Sequence, residues 1–269
     1  YVKCAYALAL SLKQSQKNIS NLSIAVTPGV IVPEQYAWAF DQIIEIPWGD
    51  QAENSTWKLE NEWKVPYITP YDETIKLDAD MLFFTDITDW WNFLEKSTSD
   101  IICANSVLNW RGEKITSDFC RKTFTANKLP NIYSGFTYLK KTEPVFEIYE
   151  LMKLITWNYE KFWEEFLEAN TRPTVFSTDV ALALALKILD LDKHHYKERA
   201  YPTFTHMKTE LQGIGEHATG DWTACFKSFF SLESGLKIGN HRQKFPLHYV
   251  VKDFITQDII EKYESQVKI

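Results

Sequence analysis

Short apolar runs alternate with helix-length amphipathic segments along this chain, and this alternation restricts the fold more than any other feature. Apolar residues at helical spacing predict a first helix between Ala5 and Leu12. A short buried strand is predicted at residues 22–27, and Pro28 ends it. Strands that alternate with helices predict an α/β domain with a mainly parallel central sheet flanked by helices.

The same alternation continues to the end of the chain. Further strands are predicted at residues 42–46, 74–77, 100–104 and 132–139. Further helices are predicted at residues 34–40, 145–166, 178–189 and 254–267, the second of them as one long amphipathic helix. Residues 200–250 read as irregular or β-like. The sequence has no repeat, no low-complexity segment and no flexible linker, so residues 1–269 are predicted to form a single domain.

The charge and the cysteines exclude some classes of protein. A net charge of -7 argues against a nucleic-acid partner, because affinity for that polyanion comes mainly from Lys and Arg side chains. A small phosphorylated ligand is still compatible with this charge, since a metal, helix N-termini and a few lysines can bind it. The four cysteines are far apart in the sequence, so they are predicted to be reduced and mostly buried.

The sequence has no membrane-spanning pattern. No apolar stretch approaches the roughly 20 residues that a transmembrane helix needs. Nothing at the start of the chain reads as a signal peptide. From these features we expect no transmembrane segment and a cytoplasmic location.

Two aspartates, Asp78 and Asp80, follow the predicted strand at residues 74–77. In an extended segment they project to the same side, while Ala79 points away. Convergent carboxylates repel each other, and a divalent cation such as magnesium or manganese is the usual reason to tolerate them. An isolated D-x-D can also be a pair of solvated turn residues. Here the apolar residues 81–84 follow at once, so an unpaired charge would be costly.

Residues 74–82 resemble the strand and metal-binding D-x-D of glycosyltransferase family 8, which includes glycogenin and bacterial galactosyl- and glucosyltransferases. Residues 1–12 are similar to the first helix of that family, and residues 25–28 to the end of its second strand. The resemblance spans most of the chain and implies a GT-A fold. The strand that precedes the first helix in the family is missing before Tyr1.

The resemblance implies a set of metal and diphosphate ligands. Asp78 and Asp80 match the family's metal ligands, and His248 in Pro246-Leu247-His248-Tyr249 resembles the late histidine that completes the site. Lys252 is the candidate for the family's diphosphate lysine, although this chain has neither the glycine nor the spacing that the family has between that histidine and lysine. Lys64 resembles a basic residue that meets the diphosphate from the helix before the D-x-D; a solvated helix lysine is the alternative.

Further residues match the donor site of the family. Tyr1 occupies the place of an aromatic residue that stacks on the nucleotide base. Tyr133-Ser134-Gly135 falls where the family has Asn-Ser-Gly, so Ser134 and Gly135 are predicted to line the donor sugar, with tyrosine replacing the asparagine. Asp179 resembles the acid that faces the transferred sugar, although the dipole of a helix also favours an acid in its first turn.

Taken together, the resemblance implies a metal-dependent glycosyltransferase. It would use Mn²⁺ or Mg²⁺ to bind a nucleotide sugar, expected to be a UDP-sugar, and transfer the sugar to a hydroxyl of a carbohydrate or other acceptor. The family also implies that the anomeric configuration is retained. Asp179 is the predicted catalytic residue.

Two other functions fit part of the sequence. Phosphatases of the haloacid dehalogenase type also carry D-x-D after a strand, with the first aspartate as nucleophile. That motif normally lies on the first strand and is followed by Thr or Val, whereas here several elements precede it and Leu82 occupies the relevant position. A non-catalytic carbohydrate-binding relative is the second alternative, because ten tryptophans offer surfaces for stacking on sugar rings.

Overall fold

The structure, a computed structural model, describes residues 1–17, 19–55, 58–115, 118–192, 202–207, 221–231 and 233–267, with the backbone alone for residues 118–120. Within these ranges the α-helices are α1 (Val2–Ser15), α2 (Glu34–Ala37), α3 (Val65–Ile68), α4 (Thr88–Glu95), α5 (Asp118–Ala126), α6 (Glu143–Trp157), α7 (Tyr159–Phe166), α8 (Thr178–Ile188), α9 (Trp222–Cys225) and α10 (Gln257–Val267). Short 3-10 segments lie at Leu59–Lys64, Ala169–Thr171 and Lys252–Phe254.

The strands of the described ranges are β1 (Ser23–Val26), β2 (Gln42–Glu45), β3 (Glu73–Leu77), β4 (Met81–Leu82), β5 (Ile101–Ala104), β6 (Ser106–Leu108), β7 (Tyr133–Lys140), β8 (Thr203–His206), β9 (Ser228–Ser231), β10 (Gly235–Ile238), β11 (His241–Arg242) and β12 (Leu247–His248). Helices and strands are therefore mixed along the chain, as the alternation predicts. The described parts of residues 200–250, expected to be irregular or β-like, hold five of these strands and the short helix α9.

Within the described ranges the strands form four sheets, which differs from the single mainly parallel sheet that the sequence predicts. β7 lies between β3 and β5 and is antiparallel to both. β12 is antiparallel to β4 and parallel to β8, which in turn is parallel to β6. The remaining sheets are the parallel pair β1–β2 and the antiparallel β9–β10–β11. A buried apolar run does not reveal the direction of its neighbour, so the sequence pattern could not distinguish these arrangements.

β7 runs through the core, and apolar helices cover it. Its first seven residues are buried. Leu139 joins the hydrophobic cluster of α6 and α8, whereas Tyr133, Phe136 and Tyr138 belong to a second cluster. At another part of the molecule α1 packs against α10, and the Tyr6 hydroxyl donates to Glu264 Oε1 at 2.5 Å. The thiols of Cys4 and Cys103 are free and buried, whereas that of Cys225 is free and exposed.

The long helix predicted at residues 145–166 is divided into α6 and α7. Asn158 between them has φ −135° and ψ 29°, outside the helical region, and its side-chain amide donates to the Leu154 carbonyl at 3.1 Å.

Across the described residues, no helix has the length and apolar character needed to cross a membrane.

Candidate metal centre

The acidic pair lies where two sheets meet. Asp78 follows β3, and Ala79 and Asp80 form a turn that leads into β4. The Asp78 amide donates to the Gly135 carbonyl at 3.0 Å, which joins the pair to β7. The Tyr249 amide donates to the Asp80 carbonyl at 3.0 Å, which joins it to the segment after β12. The carboxylates converge as predicted, but a turn rather than an extended segment brings them together.

The pairing of β12 with β4 brings His248 close to the acidic pair. β12 pairs with β4 so that His248 lies opposite Met81, and β4 begins immediately after Asp80. On its other side β12 pairs with β8, which places His248 opposite His206. His248 thereby reaches Asp80, which is 168 residues earlier in the sequence.

Asp78, Asp80 and His248 each offer one ligand atom, and these atoms all lie within 4.8 Å of one another. His248 Nε2 is 3.1 Å from Asp80 Oδ2 and 3.8 Å from Asp78 Oδ2. The Asp80 and His248 side chains are largely buried, and that of Asp78 is 32% exposed. Two carboxylates and an imidazole form a donor set that suits manganese and related divalent ions, so the three residues fit the metal that the sequence predicts.

Two lysines pair with the carboxylates. Lys252 Nζ contacts Asp80 Oδ2, and Lys76 Nζ donates to Asp78 Oδ1 at 2.8 Å. Lys76 also pairs with Glu62 Oε1 at 2.5 Å. Burial alone would lower the pKa of Lys76, but the Asp78 and Glu62 carboxylates raise it above its ordinary value. Because Lys76 contacts Oδ1, the Oδ2 atom of Asp78 remains directed at His248.

The same contacts shift the pKa values of the other two ligands. Burial alone would raise the pKa of Asp80, but the imidazole of His248 and the ammonium of Lys252 bring it well below its usual range. Burial alone would lower the pKa of His248, but the carboxylates of Asp80 and Asp78 outweigh burial and raise it. A proton on His248 therefore supplies positive charge that a divalent cation would replace.

Gly135 leaves room for this arrangement. A Cβ atom at that position would lie 2.9 Å from Asp78 Oδ2 and 3.7 Å from His248 Nδ1. The first distance is shorter than a carbon–oxygen contact of about 3.3 Å. Glycine is thus needed for space between β7 and the acidic pair.

Asp179 contacts Ser134, the residue before this glycine, and both of its carboxylate oxygens have partners. Asp179 Oδ1 accepts from the Ser134 amide at 2.8 Å and from the Ser134 hydroxyl at 2.7 Å. Asp179 Oδ2 pairs with Arg121 Nη2 at 3.1 Å. Ser177 caps α8 by accepting from the Val180 amide, so the helix N-terminus presents Asp179 to β7. Ser134 and Asp179, both predicted to face the donor sugar, are therefore brought together.

Arg121 and Lys76 are residues that the sequence interpretation missed. Arg121 lies at a kink in α5, with φ −123° and ψ 19°, and its guanidinium carbon is 3.4 Å from the Tyr133 ring centroid. No sequence signal marks such a kink. Lys76 could have been found, because a residue two positions before Asp78 lies on the same face of a strand.

Of the remaining predicted residues, Tyr1 and Lys252 lie beside the acidic pair, and Lys64 lies beside Gly49. Tyr1 is 55% exposed, and Lys252 Nζ is 5.0 Å from its ring centroid. Both residues therefore border the acidic pair, through the contact of Lys252 with Asp80. Lys64 is fully buried and donates to the Gly49 carbonyl at 2.5 Å. A contact between Lys64 and a diphosphate stays a prediction.

No protein-family model matches the chain, and no curated protein matches it either. Among solved structures the chain is similar to the apo form of the glycosyltransferase GlyE from Streptococcus pneumoniae TIGR4, with a TM-score of 0.45 and 12% sequence identity. The match covers 100% of this chain and 57% of that one, so the chain spans little more than half of that protein's length. A similarity of this strength is not evidence of function. The residues of the site are the evidence that bears on it.

Proposed function

We propose that this chain is a metal-dependent glycosyltransferase of the GT-A type. It transfers a sugar from a nucleotide sugar, a UDP-sugar, to a hydroxyl of a carbohydrate or other acceptor. The observation that carries the proposal is the convergence of Asp78, Asp80 and His248, whose ligand atoms lie within 4.8 Å of one another. These three residues would hold Mn²⁺ or Mg²⁺.

The residues around the cluster fit the binding of a nucleoside diphosphate. A bound divalent ion supplies Lewis acidity and neutralises charge on the departing diphosphate. Lys252 lies beside the cluster and adds a second positive charge for a phosphate oxygen. The exposed ring of Tyr1, 5.0 Å from Lys252 Nζ, would stack on the nucleotide base.

Asp179 is proposed to orient the transferred sugar rather than to remove a proton. Its Oδ1 already accepts two hydrogen bonds from Ser134, and its Oδ2 pairs with Arg121. These contacts fix the orientation of the Asp179 carboxylate, which suits a residue that positions a sugar. Ser134 and Gly135 follow each other on β7 and connect Asp179 to Asp78. The family resemblance extends the proposal to retention of configuration.

The test is a donor screen that measures released UDP from a panel of UDP-sugars, with Mn²⁺ or with EDTA. Asp80→Asn keeps the size of the side chain but removes an anionic ligand. If the metal provides several kcal/mol of charge stabilisation, turnover should fall by at least about a hundredfold, at roughly 1.4 kcal/mol per decade. Circular dichroism checks that the variant stays folded.

Asp86→Asn is the matched control, because Asp86 follows β4, is exposed and accepts from the Thr88 amide of its own turn. Its turnover should equal that of the wild type. Wild-type turnover in Asp80→Asn, or equal turnover in EDTA, would contradict the proposal. Phosphate release from p-nitrophenyl phosphate without turnover of UDP-sugars would favour the phosphatase alternative.

A further inference from the structure

Two exposed tryptophans flank one buried tryptophan, and none of the three is among the residues proposed to bind the metal or the nucleotide sugar. Among the described residues, Trp48 is 59% and Trp157 56% exposed, whereas Trp63 is 3% exposed. Trp48 stacks on Trp63 with ring centroids 5.5 Å apart and an interplanar angle of 8°. Trp157 meets Trp63 edge-on at 6.1 Å. We call these three residues the tryptophan platform. Because Trp63 covers one face of Trp48, the opposite face is the one open to solvent.

Trp48 is fixed in a costly backbone conformation. Its φ of 62° lies in the left-handed region, which bulky residues rarely adopt, and Gly49 follows with φ 74°. The buried Lys64 ammonium donates to the Gly49 carbonyl and so anchors the turn from inside. Asp50 adds two more contacts, to Asn61 at 2.6 Å and to Lys58 at 3.1 Å. The fold thus stabilises a turn that presents an exposed indole.

Polar groups border the aromatic faces. Lys153 Nζ lies 4.9 Å from the Trp63 centroid and 5.3 Å from the Trp157 centroid. It pairs with Glu150 Oε2 at 3.1 Å, and the Tyr67 hydroxyl donates to Glu150. This border offers hydrogen-bonding groups but little net charge, because the lysine and the glutamate neutralise each other. Flat apolar faces beside neutral polar groups match the chemistry of a sugar ring, which has C–H faces and hydroxyl edges.

We propose that the tryptophan platform binds a neutral carbohydrate chain at a site separate from the metal centre. Exposed indoles on both sides of Trp63 provide contacts for more than one sugar ring. The site depends on neither the metal nor a nucleotide. Its existence is therefore independent of the proposed transferase activity, although a glycosyltransferase could use it to retain a glycan acceptor.

The experiment is isothermal titration calorimetry of the metal-free protein with five hexasaccharides: maltohexaose, cellohexaose, xylohexaose, mannohexaose and chitohexaose. At least one should bind. Trp48→Ala and Trp157→Ala should each raise its Kd about tenfold, since one lost aromatic contact is worth about 0.5–1.5 kcal/mol beyond its buried area. Trp48→Phe should keep most of the affinity. Trp48→Gly removes the ring and suits a positive φ, so it provides a variant that folds.

Two control variants test whether sugar binding depends on the tryptophan platform itself. Trp38→Ala removes an exposed indole that contacts Tyr6 instead of the platform, and it should leave the Kd unchanged. Asp80→Asn should also leave it unchanged, so failure of the transferase proposal does not affect this result. The platform proposal is overturned if none of the five sugars binds or if binding is unchanged in both Trp48→Gly and Trp157→Ala. It is also overturned if light scattering shows a dimer that Trp48→Gly converts to monomers, because the surface then binds a second copy of the chain.

Discussion

At the scale of single residues, protonation of His248 opposes binding of a metal. Imidazole binds metal only in its neutral form, and the neighbouring aspartates raise the pKa of His248 above its ordinary value of about 6.5. We therefore predict that Mn²⁺ affinity falls as the pH decreases, and that the fall begins above pH 6.5. Calorimetric titrations with Mn²⁺ between about pH 5.5 and about pH 8.5 measure this dependence.

His248→Ala should bind Mn²⁺ more weakly and show a flatter profile over this range, with the carboxylate titration left at lower pH. His241→Ala is the control, because His241 is exposed and its ring contacts Trp110. An unchanged Kd and an unchanged pH profile in His248→Ala would remove this residue from the metal centre.

A second prediction at this scale concerns Gly135. A Cβ atom there would lie 2.9 Å from Asp78 Oδ2, so Gly135→Ala must displace that carboxylate. Asp78 is partly exposed and can rotate, so the variant should stay folded but bind Mn²⁺ about tenfold more weakly, which is about 1.4 kcal/mol. Calorimetry and a thermal melt separate the two effects.

A double-mutant cycle provides the control for Gly135. In an Asp78→Ala background the added methyl group has no carboxylate to displace, so Gly135→Ala should cause no further loss of Mn²⁺ affinity. Equal losses in both backgrounds would mean that Gly135 acts through the fold of β7 and not through Asp78.

Individual site residues differ in how far the sequence could predict them. Asp78 and Asp80 follow from their spacing after a strand, and His248 from a family resemblance; the structure brings all three together. Lys64 illustrates the limit, because helix position says nothing about which backbone carbonyl a lysine will meet. Its burial against Gly49 depends on a turn 15 residues earlier.

At the scale of elements, the kinked helix α5 supports Asp179 from outside the predicted site. Arg121 pairs with Asp179 and donates to the Ile132 carbonyl at 2.7 Å, just before β7. We predict that Arg121→Met lowers the free energy of unfolding by about 2 kcal/mol, because hydrogen bonds to charged groups are lost. Urea denaturation measures this change.

A cycle with Asp179→Asn isolates this pair. The asparagine carbonyl can still accept from Ser134, whereas the ion pair with Arg121 is weakened. The two substitutions should therefore be coupled, with the double variant less destabilised than the sum of the single variants. Additive effects would show that Arg121 stabilises α5 and not the Asp179 carboxylate.

The elements themselves were easier to predict than their arrangement. The strands observed as β1, β2, β3, β5 and β7 lie at the positions that apolar runs predict, because such runs report burial directly. The direction of β7 between β3 and β5 depends on pairing between distant segments, which local patterns do not encode. The break at Asn158 was missed because apolar spacing continues through it.

At the scale of the whole molecule, the candidate metal centre forms only when segments far apart in the sequence fold together. β12 and Lys252 come from the last part of the sequence, and they meet Asp80 through pairing with β4 and an ion pair. Packing of α1 on α10 brings Tyr6 to Glu264 and holds the same two parts together. The candidate metal centre is thus a property of the assembled fold, not of any one segment.

The metal centre is tested most simply by a calorimetric titration of Mn²⁺ into the wild-type chain and into a double variant, Asp78→Asn with Asp80→Asn, each with UDP present. We predict one Mn²⁺ per chain in the wild type and no measurable binding in the variant, since an amide is a poor substitute for an anionic ligand. Circular dichroism must show the same fold in both proteins. Equal stoichiometry and equal Kd in the two proteins would contradict a metal centre at Asp78, Asp80 and His248.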